Sequence, residues 1–279
     1  MSDDVPHTIR RGELDILQID NASCSAEVSL FGGHILHWQP SGQKPVLWMS
    51  ESANYDGNTA LRGGIPICWP WFGPAGDKGR HGLVRTRNWQ LDSYQEDCST
   101  TKLTLGIKLS DDENPWPHPS KIEMKLELGK ELKQTLIITN DTEKPLCFAY
   151  ALHNYFQVSH PENIEAPALT NSFFENAITG ETQLVDKGDE SYTGPIDRIY
   201  LNDENASLYD KKFDRTINIK KTGSQHWVLW NPGIEDARNM ADVHQDGENE
   251  FLCFEAANTT DIIIDPGETI RVGQAITVE

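Results

Sequence analysis

Four guanidinium groups, Arg62, Arg80, Arg85 and Arg87, fall within 26 residues, joined by Lys78 and opposed over residues 60–90 by one acid, Asp77. The chain as a whole has a formal charge of −19, so this stretch is a local reversal of sign. Arginine grips two oxygens of a phosphate or carboxylate at once through a planar fork of donors. Aromatic residues and glycines are woven among these cations, and Trp69, Trp71 and Trp230 either offer flat faces to a sugar ring or simply fill the core. The combination suggests a pocket for a small anion, in particular a sugar phosphate. The plain alternative is a set of surface charges offsetting part of the carboxylate excess.

Two further positions have proton-transfer chemistry. The run 146–158 reads as a strand with Phe148, Tyr150, Leu152 and Phe156 on one face and Cys147, Ala149, Ala151 and His153 on the other. A histidine above a floor of small side chains has room for a ligand, and its near-neutral pKa suits proton donation. It could equally be a core histidine hydrogen-bonded to a neighbour. Near the C-terminus Phe251-Leu252-Cys253-Phe254-Glu255 leads from an apolar strand into a carboxylate, whose burial costs several kcal/mol unless it is paired or protonated. Glu255 is therefore either the partner of a buried arginine or a base whose proton affinity is raised by its surroundings. His34 and His37, three apart on a strand, would face opposite ways, and no metal site is expected.

The elements that must position these groups are strands. Period-two alternation runs through 103–109 and 121–128, and further strands are expected at 13–19, 26–31, 33–38, 88–96, 132–139, 197–201, 206–210, 214–220, 225–231, 251–256, 261–264 and 269–277. Helical periodicity is confined to 233–241, and the acidic, proline-rich 111–119 reads as a loop. Nothing resembling a linker or repeat divides the 279 residues, so the expected fold is all-β, one large antiparallel sandwich domain over 1–279. The acidic charge argues against nucleic acid and anionic membrane as partners. Five scattered cysteines without a Cys-x-x-Cys pair and the lack of an export signal point to the cytoplasm. With no marked apolar seam, a monomer is expected.

The ordered motifs Arg62-Gly63-Gly64-Ile65-Pro66-Ile67-Cys68-Trp69-Pro70-Trp71-Phe72-Gly73, His81-Gly82-Leu83-Val84-Arg85, Leu152-His153-Asn154-Tyr155-Phe156, Asp197-Arg198-Ile199-Tyr200, Trp230-Asn231-Pro232 and Cys253-Phe254-Glu255 resemble those of the glucose-6-phosphate 1-epimerases, or hexose-6-phosphate mutarotases, within the aldose 1-epimerase group. The likeness extends over nearly the whole chain. It implies a β-supersandwich that needs no cofactor and interconverts the α and β anomers of a hexose 6-phosphate. By the same resemblance His153 is the general acid and Glu255 the general base, while Arg62, Arg85 and Asp197 bind the ligand. Arg80 stands where relatives often have another residue, and an added cation there is compatible with stronger anion binding. His81 either contacts the sugar or shapes its loop, and Asp197 either accepts from sugar hydroxyls or steadies an arginine.

Three other readings compete. An epimerase of unphosphorylated aldoses would not need the arginines, and a sugar-phosphate sensor would not need His153 with Glu255. A glycoside hydrolase sandwich would need two carboxylates astride a glycosidic bond, and the sequence nominates one.

Overall fold

Strand-forming alternation shapes almost the whole chain, which a computed structural model describes over residues 6–110, 116, 118–185 and 191–279. The first four strands form an antiparallel meander: β1 (His7–Arg11), β2 (Leu14–Asn21), β3 (Cys24–Ser29) and β4 (His34–Pro40). A long loop containing the short β5 (Ile67–Cys68) leads to a second meander, β6 (Gln90–Glu96), β7 (Thr101–Leu109), β8 (Ser120–Leu128) and β9 (Leu132–Thr139). Then come β10 (Leu146–Leu152), β11 (Tyr155–Gln157), β12 (Ile164–Glu165), β13 (Phe173–Asn176), β14 (Glu181–Leu184), β15 (Ile196–Leu201), β16 (Ala206–Asp210), β17 (Arg215–Thr222) and β18 (His226–Asn231). A short helix α1 (Gly233–Ala237) precedes the long closing strands β19 (Phe251–Ile264) and β20 (Thr269–Val278).

Two eight-stranded sheets dominate. One has the order β14-β13-β15-β18-β19-β10-β5 with β11 added beside β19, and the other β12-β16-β17-β20-β9-β8-β7-β6. Between them lies a continuous apolar core to which β7, β8 and β9 contribute Leu105, Met124 and Leu136, while the other sheet contributes Phe148, Tyr150, Leu152, Trp227 and Phe254. The β1–β4 meander adds Leu17, Val28 and Trp38 to the same core. Alternation explains the pattern: Ile122, Met124, Leu126 and Leu128 are buried, while Lys121, Glu123, Lys125 and Glu127 lie toward solvent.

The expected all-β sandwich is what forms, with local differences. Residues 251–264 make one strand instead of two, because the polar step at Thr259-Thr260 is absorbed as a bulge: Phe148 pairs with Ile262 and Tyr150 with Asn258, so three residues of β19 oppose Ala149. The helix stops at Ala237 rather than running to 241, since the next amides close tighter turns, Asn239 onto Asp236 and Met240 onto Ala237. The expected strand 146–158 keeps its two faces but breaks after Leu152. There Asn154, fully buried, donates to the Phe254 carbonyl and to Gln274, and Gln274 in turn donates to Gln134. This buried amide chain was not visible as a pattern in the sequence, and neither were β1, β5, β12 and the β13–β14 hairpin. Most of the proline-rich 111–119 lies outside the described residues.

Candidate active site

The face of the β19-containing sheet turned away from the sandwich core presents the chemistry. On β19, Phe254 points into the core and stacks on Trp227 with ring centroids 4.3 Å apart and planes within 4°, so its neighbours Cys253 and Glu255 must face the other way. Register then builds two rows across the strands. Glu255 pairs with Val228, Val228 with Ile199 and Ile199 with Glu175, while Tyr155 pairs with Cys253, Cys253 with Trp230 and Trp230 with Asp197. Paired residues share a face, so these rows floor one concavity.

Its wall comes from the arginine-bearing stretch, which runs alongside β10 and β11. The amides of Ala149, His153 and Tyr155 donate to the carbonyls of Pro70, Pro66 and Gly64, and Ala151 and Leu152 pair with Cys68 and Ile67. Prolines suit such an edge because it is used there as an acceptor. Two glycines are required by close approach: at Gly64 (φ 63°) and Gly82 (φ 76°) a Cβ would overlap the carbonyls of Ile35 and Trp69 respectively. The Leu83 amide then donates to the Trp69 carbonyl at 2.8 Å. In this way the loop with Arg80, His81 and Arg85 is pinned over the sheet. His34, fully buried, donates from Nε2 to the Gly63 carbonyl at 2.8 Å and secures the turn that follows Arg62.

The resulting pocket has a volume of about 680 Å³, and all seven residues nominated from the sequence line it: Arg62, Arg80, His81, Arg85, His153, Asp197 and Glu255. His153, between β10 and β11, and Glu255, on β19 about one hundred residues later, touch with Nε2 and Oε1 3.4 Å apart. They therefore stand side by side, not on opposite sides of a sugar-sized gap. Neither His153 Nδ1 nor Glu255 Oε2 has a hydrogen-bond partner among the described residues. Burial holds the His153 pKa well below the usual imidazole value, with His81, Arg85 and Arg62 adding to the effect. Burial likewise raises Glu255 far above the carboxylate range, reinforced by Asp197 and opposed by Arg85. Burial thus shifts both members of the pair toward their uncharged forms.

The cations are arranged around this pair. Arg62 donates from Nε to Asp242 at 3.0 Å and from Nη1 to the Tyr155 hydroxyl at 2.9 Å. Arg85 donates from Nη2 to the Arg80 carbonyl, while its buried Nε lacks a partner among the described residues. His81 accepts from the Gly73 amide at Nδ1, 3.3 Å away, which leaves the proton of the neutral ring on Nε2. Burial and then Arg85, Arg80 and Arg62 lower its pKa to about 3, so His81 is a neutral donor over the working pH range. Asp197 is pushed upward by burial and drawn back by Arg80. Lys78 and Arg87 of the original cluster do not line the pocket.

Among the tryptophans, Trp230 lines the pocket, Trp69 is wholly buried against Trp116 and Phe148, and Trp71 packs on the rim of the core. Sequence reasoning assigned no role to Tyr155, Glu175, Met240 and Asp242. The first three line the site and the last holds Arg62. Tyr155 was within reach, since it shares the face of His153 two residues on. Glu175 was not, because its strand was not recognised. No cluster of three or more potential metal-ligating side chains occurs among the described residues.

Residues 15–277 match the model of the family described as aldose 1-epimerase. The chain belongs to the aldose 1-epimerase family. Within it, the chain is similar to a Salmonella typhimurium protein provisionally named glucose-6-phosphate 1-epimerase, at 32% identity over 89% of this chain and 84% of the relative. An Escherichia coli relative with the same provisional name is 32% identical over 88% of this chain and 83% of its own length. The solved structure of a Salmonella typhimurium protein, provisionally a mutarotase, superposes with a TM-score of 0.91 at 30% identity, covering 98% of this chain and 93% of that one. The epimerase family's large β-sandwich is therefore the frame on which the pocket is built.

Proposed function

We propose that this aldose 1-epimerase family member interconverts the α and β anomers of a hexose 6-phosphate, with glucose 6-phosphate as the leading substrate. The observation that supports it most directly is the buried His153–Glu255 pair in contact at 3.4 Å within a pocket that also contains Arg62, Arg80 and Arg85. The names of the relatives point the same way.

Anomer exchange requires that the C1 hydroxyl lose a proton while the ring oxygen gains one. These two oxygens are bonded to the same carbon, so an acid and a base standing side by side can serve them from one direction. Glu255 takes the proton from the hydroxyl, and His153 gives one to the ring oxygen. The bond from C1 to the ring oxygen breaks, and the C1 hydroxyl becomes the aldehyde. Rotation about C1–C2 presents the other face, and the same proton transfers in reverse close the ring. There is no net redox change, and each residue ends as it began.

The proton inventory fits this cycle. A neutral imidazole with a protonated carboxyl and an imidazolium with a carboxylate hold the same number of protons, and only the second form has the assigned roles. Arginine charge disfavours the imidazolium. A phosphate dianion held by Arg62, Arg80 and Arg85 offsets that charge at His153, and by offsetting Arg85 it raises the proton affinity of Glu255 as well. The chief part of the phosphate is to orient the sugar against the pair.

The test is anomer exchange, followed by NMR side by side on glucose, galactose and their 6-phosphates, with Arg85→Ala as the diagnostic variant. Loss of exchange on the 6-phosphates with free-sugar exchange retained supports the reading. Equal loss on both, or an unaltered protein that exchanges free glucose as well as its 6-phosphate, overturns the phosphate assignment.

A further inference from the structure

We propose that Tyr155 is a positioning residue that ties anion binding to proton transfer, its ring setting the plane of the His153 imidazole and its hydroxyl aiming the Arg62 guanidinium. The inference rests on the mutarotase reading and adds a residue to it.

The imidazole needs such a support. A working histidine is commonly held in place by a hydrogen bond from its second ring nitrogen to a neighbouring group, yet His153 Nδ1 has no partner on any other described residue. What holds the ring besides the Glu255 contact is aromatic packing. Tyr155 lies parallel to it, centroids 4.8 Å apart and planes within 7°, while His81 and Trp230 meet it edge-on at 5.7 and 6.2 Å. The parallel partner is the one that fixes a plane.

Tyr155 is itself immobile. It is 2% exposed, packs against Trp48 and Phe251, donates its amide to Gly64 and accepts at its carbonyl from the Trp48 amide. At the far end of the ring, the hydroxyl accepts from Arg62 Nη1 at 2.9 Å, while Asp242 takes Nε at 3.0 Å. Two anchors on one guanidinium fix its plane. Nη2 then makes no hydrogen bond to the described residues and, with the second Nη1 hydrogen, is left to donate to a ligand. One rigid side chain thus fixes both the ring that moves the proton and the cation that grips the anion. Phenylalanine would retain the first function and lose the second, and leucine would lose both.

The experiment compares Tyr155→Phe and Tyr155→Leu with the unaltered protein by calorimetric titration of glucose 6-phosphate, by NMR anomer exchange and by the His153 imidazole resonances. Tyr155→Phe is expected to weaken glucose 6-phosphate binding about tenfold, the worth of one hydrogen bond to a charged group, with kcat changed by no more than about twofold. Its His153 resonances stay in place. Tyr155→Leu is expected to lower kcat by about tenfold relative to Tyr155→Phe and to shift the His153 resonances as the ring beside them is lost. Unchanged affinity in Tyr155→Phe, or equal kcat in the two variants, overturns the proposal. Should the unaltered protein exchange no anomer of any sugar tested, the mutarotase reading falls, while the calorimetry and the imidazole resonances still decide whether Tyr155 positions Arg62 and His153.

Discussion

Glu255 is kept in the fold against its own solvation preference. A carboxyl 1% exposed in an apolar strand, with one oxygen unpartnered, contributes nothing to stability that glutamine would not. Glu255→Gln is therefore expected to leave the denaturant midpoint unchanged or raise it by about 1 kcal/mol equivalent. The same variant, like His153→Asn, should lower anomer exchange by about 10²- to 10⁴-fold. Activity lost with stability retained marks a functional carboxyl, whereas a drop in both would assign Glu255 to the fold. The substrate adds its own titration: a phosphate monoester takes up its second proton near pH 6, so kcat/KM on glucose 6-phosphate should fall below about pH 6. Any free-sugar activity should not show that limb.

At the scale of elements, the decisive feature is that the loop bearing Arg80, His81 and Arg85 is tied to the sheet through Gly82. Gly82→Ala combines a left-handed φ of 76° with overlap on the Trp69 carbonyl, and is expected to destabilise by about 2 kcal/mol or more. Because the displaced loop holds two arginines of the pocket, its KM for the 6-phosphate should rise more than its kcat falls. A variant that melts as the parent and binds normally would show that the loop is placed by other contacts. The two faces of 146–153 were legible from alternation alone, since Tyr150 and Leu152 enter the core between the sheets while Ala151 packs in a separate cluster with Cys68 and Val228. The break at Asn154 was not, because its cause is a hydrogen bond to Gln274 on a strand formed 120 residues later.

Across the whole molecule, buried histidines set the response to acid. His34 is lowered to about 4 by burial, against the bond to Gly63, and His81 to about 3 by burial and nearby arginines. A histidine with a depressed folded value stabilises fully above the unfolded value near 6.5, and that stability is lost as pH falls toward the folded value. These two alone should remove about 4 kcal/mol between pH 7.5 and 5, lowering the melting temperature by roughly 10 °C. His153 acts in the same direction below 6.5. Glu255, with a raised folded value, acts oppositely, as its contribution is present at low pH and lost as pH rises above the ordinary carboxylate range. Calorimetric melting of the parent and of His34→Gln at pH 7.5 and 5 measures this, and an equal pH loss in both would remove His34 from the account.

By itself the sequence determined what depends on neighbours along the chain. Period-two alternation specified strands and their faces, and the crowding of arginines between glycines and prolines marked a candidate anion-binding stretch in an acidic protein. Only the tertiary structure decided which of those cations meet His153 and Glu255. Arg62, Arg80 and Arg85 reach the pocket and Arg87 and Lys78 do not, because cross-strand register, and not sequence spacing, sets where each side chain emerges. Contact between His153 and Glu255, and the placing of Tyr155 between His153 and Arg62, likewise follow from the pairing of β10 and β11 with β19. That pairing joins segments whose separation along the backbone leaves no local pattern to read.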